Sequence, residues 1–492
     1  MDERLILAID AGTTSVRAIV FQADGAIVAS AGRPLSQHFP QPGWVEQDAA
    51  EIRALAIDVA GAVVSEVGAD RVAAIGIANQ RETVVFWSRA TGEPLAPAIV
   101  WQDRRTADVT ARLRAEGHEA EVQATTGLLL DPYFSATKIG WAMANWPRVA
   151  AAAEANDLAL GTVDSWLVWA LSEGRTHLTD ATNASRTLLM DLAGLHWRPE
   201  LLRLFDVPFA ALPSIAPSWG RLADVRIFGP TLPLAGIVGD QQAATIGQGC
   251  LSPGEAKCTY GTGIFLLANA GEKPPVSRNR LIATLLGTDG AARRYALEGS
   301  IFVGGDAVKW LRDGLGILDT AAESEALAAR VPDSGGLSFV PAFAGLGAPH
   351  WQPEARGLIA GITGGTTRAH LVRATLEAMS QQTADLIEAF AADGVVPSVL
   401  RVDGGMTANT WLCQDIADAT GLIVERPRVI ETTALGAAMV AGVGAGIFPS
   451  LERAAERMVA AERRFTPRSS AREREARREA WRRAVAQTVA GL

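Results

Sequence analysis

Leu5-Ile6-Leu7-Ala8-Ile9-Asp10-Ala11-Gly12-Thr13-Thr14-Ser15-Val16-Arg17-Ala18-Ile19-Val20-Phe21 reads as strand, tight turn, strand. Leu5–Ile9 is a short apolar run that stops at Asp10, Gly12-Thr13-Thr14 supplies the turn, and Val16–Phe21 returns. Ala23-Asp24-Gly25 is a hairpin signal, and Ala26–Ala31 follows as a third strand. Asp48–Val67 carries apolar residues at helical spacing, and Val72–Ile77 is a compact buried strand.

A related opening recurs in the second half. Lys257-Cys258-Thr259-Tyr260 leads into Gly261-Thr262-Gly263 and then into Ile264–Ala268. Val399–Asp403 is a further strand start, followed by Gly404-Gly405 and a helix over Trp411–Thr420. The repetition divides the chain into two halves of related α/β units, residues 1–247 and 248–492. Their join falls near Gly247–Pro253, where Gly and Pro cluster. The Arg- and Glu-rich stretch Ala471–Ala486 mixes signs at three- and four-residue spacing, the pattern of a solvated helix.

Composition narrows the function classes. With 48% hydrophobic and 20% charged residues, the chain has the make-up of an ordinary globular protein. A formal net charge of −9 excludes a basic nucleic-acid footprint, so no nucleic acid is expected as a partner. Met1-Asp2-Glu3-Arg4 before a five-residue apolar run does not make a signal peptide, and no uncharged run reaches the ~18 residues of a membrane span. A cytoplasmic location without membrane insertion is expected. The cysteines Cys250, Cys258 and Cys413 have no C-x-x-C spacing and read as small buried hydrophobes.

Three Gly-containing turns sit at strand ends: Asp10–Thr14, Tyr260–Gly263 and Asp403–Gly405. Phosphate oxygens need backbone N–H and hydroxyl donors at close approach; Gly permits the approach, and Thr adds a hydroxyl. Each turn alone reads equally as a plain tight turn, and none is a Walker A loop. Asp10 at a strand end suits Mg²⁺, through water. Arg17 stands where it could meet a phosphate or lie on an outward strand face. Asp240-Gln241-Gln242 follows the apolar run Leu234–Val238. There Asp240 is either a helix N-cap or a general base facing a cleft. Asn79-Gln80-Arg81-Glu82-Thr83 also follows a buried strand. Its adjacent donor fork and acceptor suit a polyol, whose hydroxyls both give and take hydrogen bonds; a surface ion pair is the plainer alternative.

Taken in order, these segments resemble the FGGY carbohydrate kinases. Others that carry the resemblance are Gln41-Pro42-Gly43-Trp44-Val45-Glu46, Trp101–Thr106, Asp131-Pro132-Tyr133-Phe134-Ser135, Thr179–Arg186, Gly239–Ala243, Pro341–Pro349 and Gly357–Glu377. The similarity runs from about Leu5 to about Pro467. It implies two actin-like, ribonuclease-H-like α/β domains with a deep interdomain cleft. Residues 1–247 would hold the acceptor alcohol and 248–492 the nucleotide. Within the family, Asn79–Thr83 points to glycerol as acceptor, giving sn-glycerol 3-phosphate from ATP.

The resemblance implies Asp240 as general base, ionised at its ordinary carboxylate pKa. Glycerol would meet Arg81, Glu82, Tyr133, Asp240 and Gln241, with Trp101 and Phe265 on its carbon edge. The nucleotide phosphates would meet Thr13, Thr14, Ser15, Arg17 and Thr262, and the rest of ATP Gly305, Lys309, Gly405 and Asn409. Mg²⁺ would sit near Asp10 and Asp240. A homo-oligomer, dimer or tetramer, is also implied. Ala11 and Lys309 stand where the family usually carries Gln. Two other readings compete: a kinase for another polyol or ketose such as erythritol or xylulose, and a non-catalytic actin-like nucleotide-binding regulator.

Overall fold

The computed structural model describes residues 4–352 and 354–490; Met1-Asp2-Glu3 of the leader reading lie outside the described residues. Two sheets of matching design organise the chain. The first contains β1 (Leu5–Ala11), β2 (Ser15–Phe21), β3 (Ile27–Pro34), β4 (Val72–Asn79), β5 (Trp219–Val225) and β6 (Leu232–Gly239), in the spatial order β5-β6-β4-β1-β2-β3. Strands β1, β2 and β3 form antiparallel neighbours, whereas β4 runs parallel to β1 and β6 parallel to β4.

The second sheet contains β7 (Glu255–Tyr260), β8 (Ile264–Gly271), β9 (Ile282–Thr288), β10 (Arg293–Ile301), β11 (Val399–Asp403), β12 (Ile423–Pro427) and β13 (Ala461–Phe465), ordered β9-β10-β8-β7-β11-β12-β13. Here too the opening strand β7 has an antiparallel neighbour on one side, β8, and a parallel one on the other, β11, which pairs in parallel with β12. The strand–turn–strand repeat seen in the sequence is therefore the nucleus of two like-wound sheets.

Continuous apolar strands need cover on both faces. β1 is buried along nearly all its length. One face of the first sheet is covered by α1 (Ala49–Val67), which buries Ile52, Ala56, Val59, Ala60 and Val63 and is capped by Asp48, whose side chain accepts from Ala50 N. The opposite face, through Ile6, Ala8, Ala74 and Ala78, packs on a helix from the second half of the sequence. The second half's longer helices include α3 (Arg368–Ala392), α4 (Thr410–Thr420), α5 (Thr432–Gly444) and α6 (Ala471–Ala490). It is α5 that lies on the first sheet and against α2 (Asp240–Gly247), backbone to backbone. A Cβ on Gly436 would stand 1.8 Å from the Ala243 carbonyl oxygen, and one on Gly247 2.0 Å from that of Thr432. No side chain fits at either point, so glycine sets how closely these two helices approach.

The C-terminal helix departs from the solvated reading. α6 is longer, ending at Ala490, and it is docked. Arg478, Trp481, Ala484 and Val485 are buried, Arg478 Nη2 donates to Asp385 at 2.5 Å, and Trp481 Nε1 donates to the same carboxylate at 2.7 Å. Charge alternation hid a narrow apolar stripe whose partner, α3, lies some hundred residues earlier in the chain. The three cysteines are buried and free. No helix among the described residues is long and apolar enough to cross a membrane.

Candidate active site

In parallel sheets, ligand sites form where adjacent strands end together. β1, β4 and β6 lie side by side, and their register brings Asp10 opposite Ala78 and both Ala11 and Gly239 opposite Asn79. The residues that follow these ends, Gly12–Ser15, Gln80–Thr83 and Asp240–Gln242, therefore converge on one cleft. The first turn is braced from below: Gln80 Nε2 donates to the Gly12 carbonyl at 3.2 Å, and Gln47 Nε2 to that of Thr13 at 2.6 Å.

Arg81 is the centre of the side of the cleft formed by the first sheet. It is buried, and its Nη2 donates to Tyr133 Oη at 3.2 Å while its Nε lies 3.3 Å from Asp240 Oδ1 and 3.7 Å from Glu82 Oε1. Tyr133 stands edge-on to Trp101, their rings 5.5 Å apart, and Trp101 Nε1 donates to Thr13 Oγ1 at 2.9 Å. Arg81, Glu82, Tyr133, Trp101, Asp240 and Gln241 thus form one group with the first turn. Phe265 lies across the cleft on β8, paired with Ser300, and makes no ring contact with Trp101 or Tyr133 among the described residues.

Asp240 is not the helix cap. Gly239 occupies the N-cap of α2, and Asp240 is its first residue, with Oδ1 accepting from Gln241 N at 2.7 Å. Its side chain is 26% exposed, so a ligand in the cleft can reach it. The expectation of an ordinary carboxylate pKa fails. Burial raises it, and Glu82 adds to the rise, against the opposing pull of Arg81, the Gln241 N–H and Lys257. Asp10, at the end of β1, is pushed up to about 7 by burial and then by the charge of Asp240. The charge of Asp240 disfavours the charge of Asp10, and a cation beside the pair would relieve that repulsion. Mg²⁺ retains waters and takes ligands from substrate phosphates, so two carboxylates fit it, although no cluster of three or more metal-ligating side chains occurs among the described residues.

On the side formed by the second sheet, the β7–β8 turn is knit to the start of the short helix Gly305–Lys309. Gly304 N donates to the Thr262 carbonyl at 2.7 Å and Gly305 N to that of Gly261 at 2.8 Å. A Cβ on Gly305 would come within 3.1 Å of Met406 Cγ, so Gly305 and the Gly405 segment after β11 face each other. Asn409 caps α4 by accepting from Leu412 N at 2.9 Å and donates to Ser324 Oγ at 3.2 Å. Thr14, Thr262, Gly405 and Lys309 are exposed, and Thr13 and Ser15 are half-buried. Arg17 is held outward by Glu431, with both carboxylate oxygens within 2.9 Å of Nη1.

Several residues escaped the sequence reading. Glu298 on β10 is fully buried and receives Arg81 through two hydrogen bonds, of 2.6 and 2.9 Å. Arg186 bridges Glu82, at 2.7 Å, to Glu298, at 3.2 Å. Lys257 on β7 is also wholly buried. Behind the third turn, Asp403 accepts from Gln248 at 2.7 Å and Thr432 at 2.6 Å. A signal existed for one of them: Glu298 is the lone charge in the buried stretch Tyr295–Ile301, and such a charge is retained only with a partner.

With this geometry in view, likeness to known proteins is informative. Residues 5–247 match the N-terminal domain of the FGGY family of carbohydrate kinases, and residues 256–445 match its C-terminal domain. A protein of Rhodospirillum rubrum named glycerol kinase is 51% identical, covering 99% of each chain. One of Aromatoleum aromaticum with the same name is 52% identical over 98% of each. Among solved structures, Plasmodium falciparum glycerol kinase with ADP superposes with a TM-score of 0.93 at 36% identity, covering 99% of this chain and 98% of that one. Both domain models match in order along most of the sequence, and the chain belongs to the FGGY family of carbohydrate kinases.

Proposed function

We propose that the chain transfers the γ-phosphoryl group of ATP to a terminal hydroxyl of glycerol, giving sn-glycerol 3-phosphate and ADP. The observation that carries this reading is the placement of Arg81, between Tyr133 Oη at 3.2 Å and Asp240 at 3.3 Å, beside the Trp101–Tyr133 pair. Donors, acceptors and an apolar wall within so short a span suit a three-carbon polyol better than a longer sugar. Full-length relatives about half identical to this chain and named glycerol kinase support the same acceptor.

Phosphoryl transfer has a loose transition state, so placement and charge stabilisation do most of the work. Asp240 Oδ takes the proton of the attacking hydroxyl. The new O–P bond forms in line as the bond from γ-phosphorus to the bridging oxygen breaks, and ADP leaves with that electron pair. A carboxylate raised towards neutrality is a better proton acceptor than an ordinary one, provided it stays ionised. Arg81, Glu82, Tyr133 and Gln241 orient the triol, while Trp101 and Phe265 flank its carbons. Thr13, Thr14, Ser15, Arg17 and Thr262 receive the phosphates, and Gly305, Lys309, Gly405 and Asn409 the rest of the nucleotide. Asp10 and Asp240 would hold Mg²⁺, which supplies charge neutralisation between the phosphate oxygens.

The acceptor belongs in this reading to the first half, residues 1–247, and the nucleotide to residues 248–492. A cytoplasmic homo-oligomer, dimer or tetramer, completes it, and sedimentation velocity reads the oligomeric state. ADP release measured with ATP, Mg²⁺ and a panel of glycerol, erythritol and xylulose tests the activity. The expected result is a kcat/KM for glycerol far above the others. A higher value for erythritol or xylulose overturns the acceptor, and ATP binding without any turnover overturns the enzyme.

A further inference from the structure

Lys257 points from the second half's sheet to the residue beside the proposed base. It is wholly buried, and its Nζ donates to Gln241 Oε1 at 2.5 Å and to Thr259 Oγ1 at 3.0 Å. A lysine has only donors to offer, so the atom of Gln241 that faces it is the oxygen. The amide nitrogen of Gln241 is thereby turned the other way. Among the described residues Nε2 makes no hydrogen bond within the protein, and Gln241 is half-buried at the cleft. Gln241 is also fixed from behind: its carbonyl accepts from Thr245 Oγ1 at 2.7 Å and its N–H donates to Asp240 at 2.7 Å. One half of the amide is locked and the other is presented.

We propose that Lys257 is a positioning residue for the acceptor alcohol: it fixes the Gln241 amide so that Nε2 always donates to a substrate hydroxyl oxygen. An unrestrained glutamine amide could flip and offer its oxygen instead. Lys257 comes from β7 and Gln241 from α2, so the contact also ties amide orientation to the relative placement of the two sheets. The proton inventory is consistent. A hydroxyl that gives its proton to Asp240 or Glu82 keeps a lone pair for a donor, and Gln241 Nε2 is such a donor. The proposal rests on the reading of Gln241 as an alcohol-binding residue.

The test is a double-mutant cycle on Lys257→Met and Gln241→Ala, with steady-state KM and kcat for the acceptor that the polyol panel identifies and a thermal melt for each protein. Wild-type turnover of glycerol reports on the functional reading, and the variants report on Lys257. The expected result is a rise in acceptor KM of about tenfold for each single variant, a kcat change of less than about threefold, and no further rise in the double variant. A Lys257→Met protein with wild-type KM, or KM effects that multiply in the double variant, overturns the proposal. Should Lys257→Met fail to fold, Gln241→Glu answers the same question. It keeps the oxygen for Lys257 and removes the N–H donor, so KM again rises about tenfold; a KM within about twofold of wild type overturns the proposal.

Discussion

Glu298 and Arg81 come from opposite sheets and meet inside the protein through two hydrogen bonds of 2.6 and 2.9 Å. Arg186 shares the same carboxylate, so one acid pairs with two buried guanidinium groups, Glu82 supplies the second negative charge, and the proposed acceptor-binding arginine is held in place. Burial alone would raise Glu298, but Arg186 and Arg81 outweigh it and hold the carboxyl at about 2, against an ordinary 4.5. A group depressed on folding stabilises the native state fully above its unfolded pKa and loses that contribution as pH falls through the folded one. Wild-type stability is therefore expected to drop below pH ~4.5, by an amount on the order of 3 kcal/mol by pH ~2. Urea midpoints at pH 5 and pH 3 should show a smaller fall in Glu298→Gln than in wild type. Equal falls would remove Glu298 as the source.

Asp240→Asn tests the base. The amide fits the same space and leaves Arg81 its acceptor, but it cannot take a proton. Turnover should fall by about 10²- to 10⁴-fold while the KM for glycerol stays within a few-fold. Replacing a partly buried carboxylate whose charge is disfavoured should leave the melting temperature equal or raised. Undiminished ADP release by Asp240→Asn would sink the mechanism.

Arg17 is tied to Glu431, both groups partly exposed. If Arg17 leaves that partner to meet a nucleotide phosphate, each binding event breaks the pair. Glu431→Gln is then expected to lower the KM for ATP by about two- to threefold at low salt, with the advantage fading at high salt. A raised KM would show instead that Glu431 itself serves the nucleotide.

Trp481 anchors α6 against α3, with its ring buried and its N–H on Asp385. Trp481→Ala should destabilise the protein by about 3–5 kcal/mol and expose the helix to limited proteolysis ahead of the rest of the chain. Unchanged cleavage kinetics and an unchanged melt would restore the solvated reading.

Legibility followed the range of the interactions. The strand–turn–strand openings at Leu5–Phe21 and Lys257–Ala268, the helix over Asp48–Val67 and the strand ahead of Asn79 were readable because they rest on local periodicity and turn chemistry. Asp240 could be placed at a strand end, yet cap and base stayed open, because both roles use a carboxylate at a helix start. Gly239 in the cap removes the first role, and a side chain open to the cleft beside Arg81, 3.3 Å away, supports the proposal of the second.

By itself, then, the sequence determined two like-built α/β halves, the Gly turns at their strand ends, and the Arg81-Glu82 and Asp240-Gln241 pairs as candidates. The tertiary structure decided what each charge faces. Glu298 meets Arg81 across 217 residues of chain, Arg17 meets Glu431 across 414, and α5 covers a sheet that was formed hundreds of residues earlier. The altered state of Asp240 and Asp10 has the same origin. Desolvation and charge–charge coupling depend on distances in space, and no spacing along the chain encodes them.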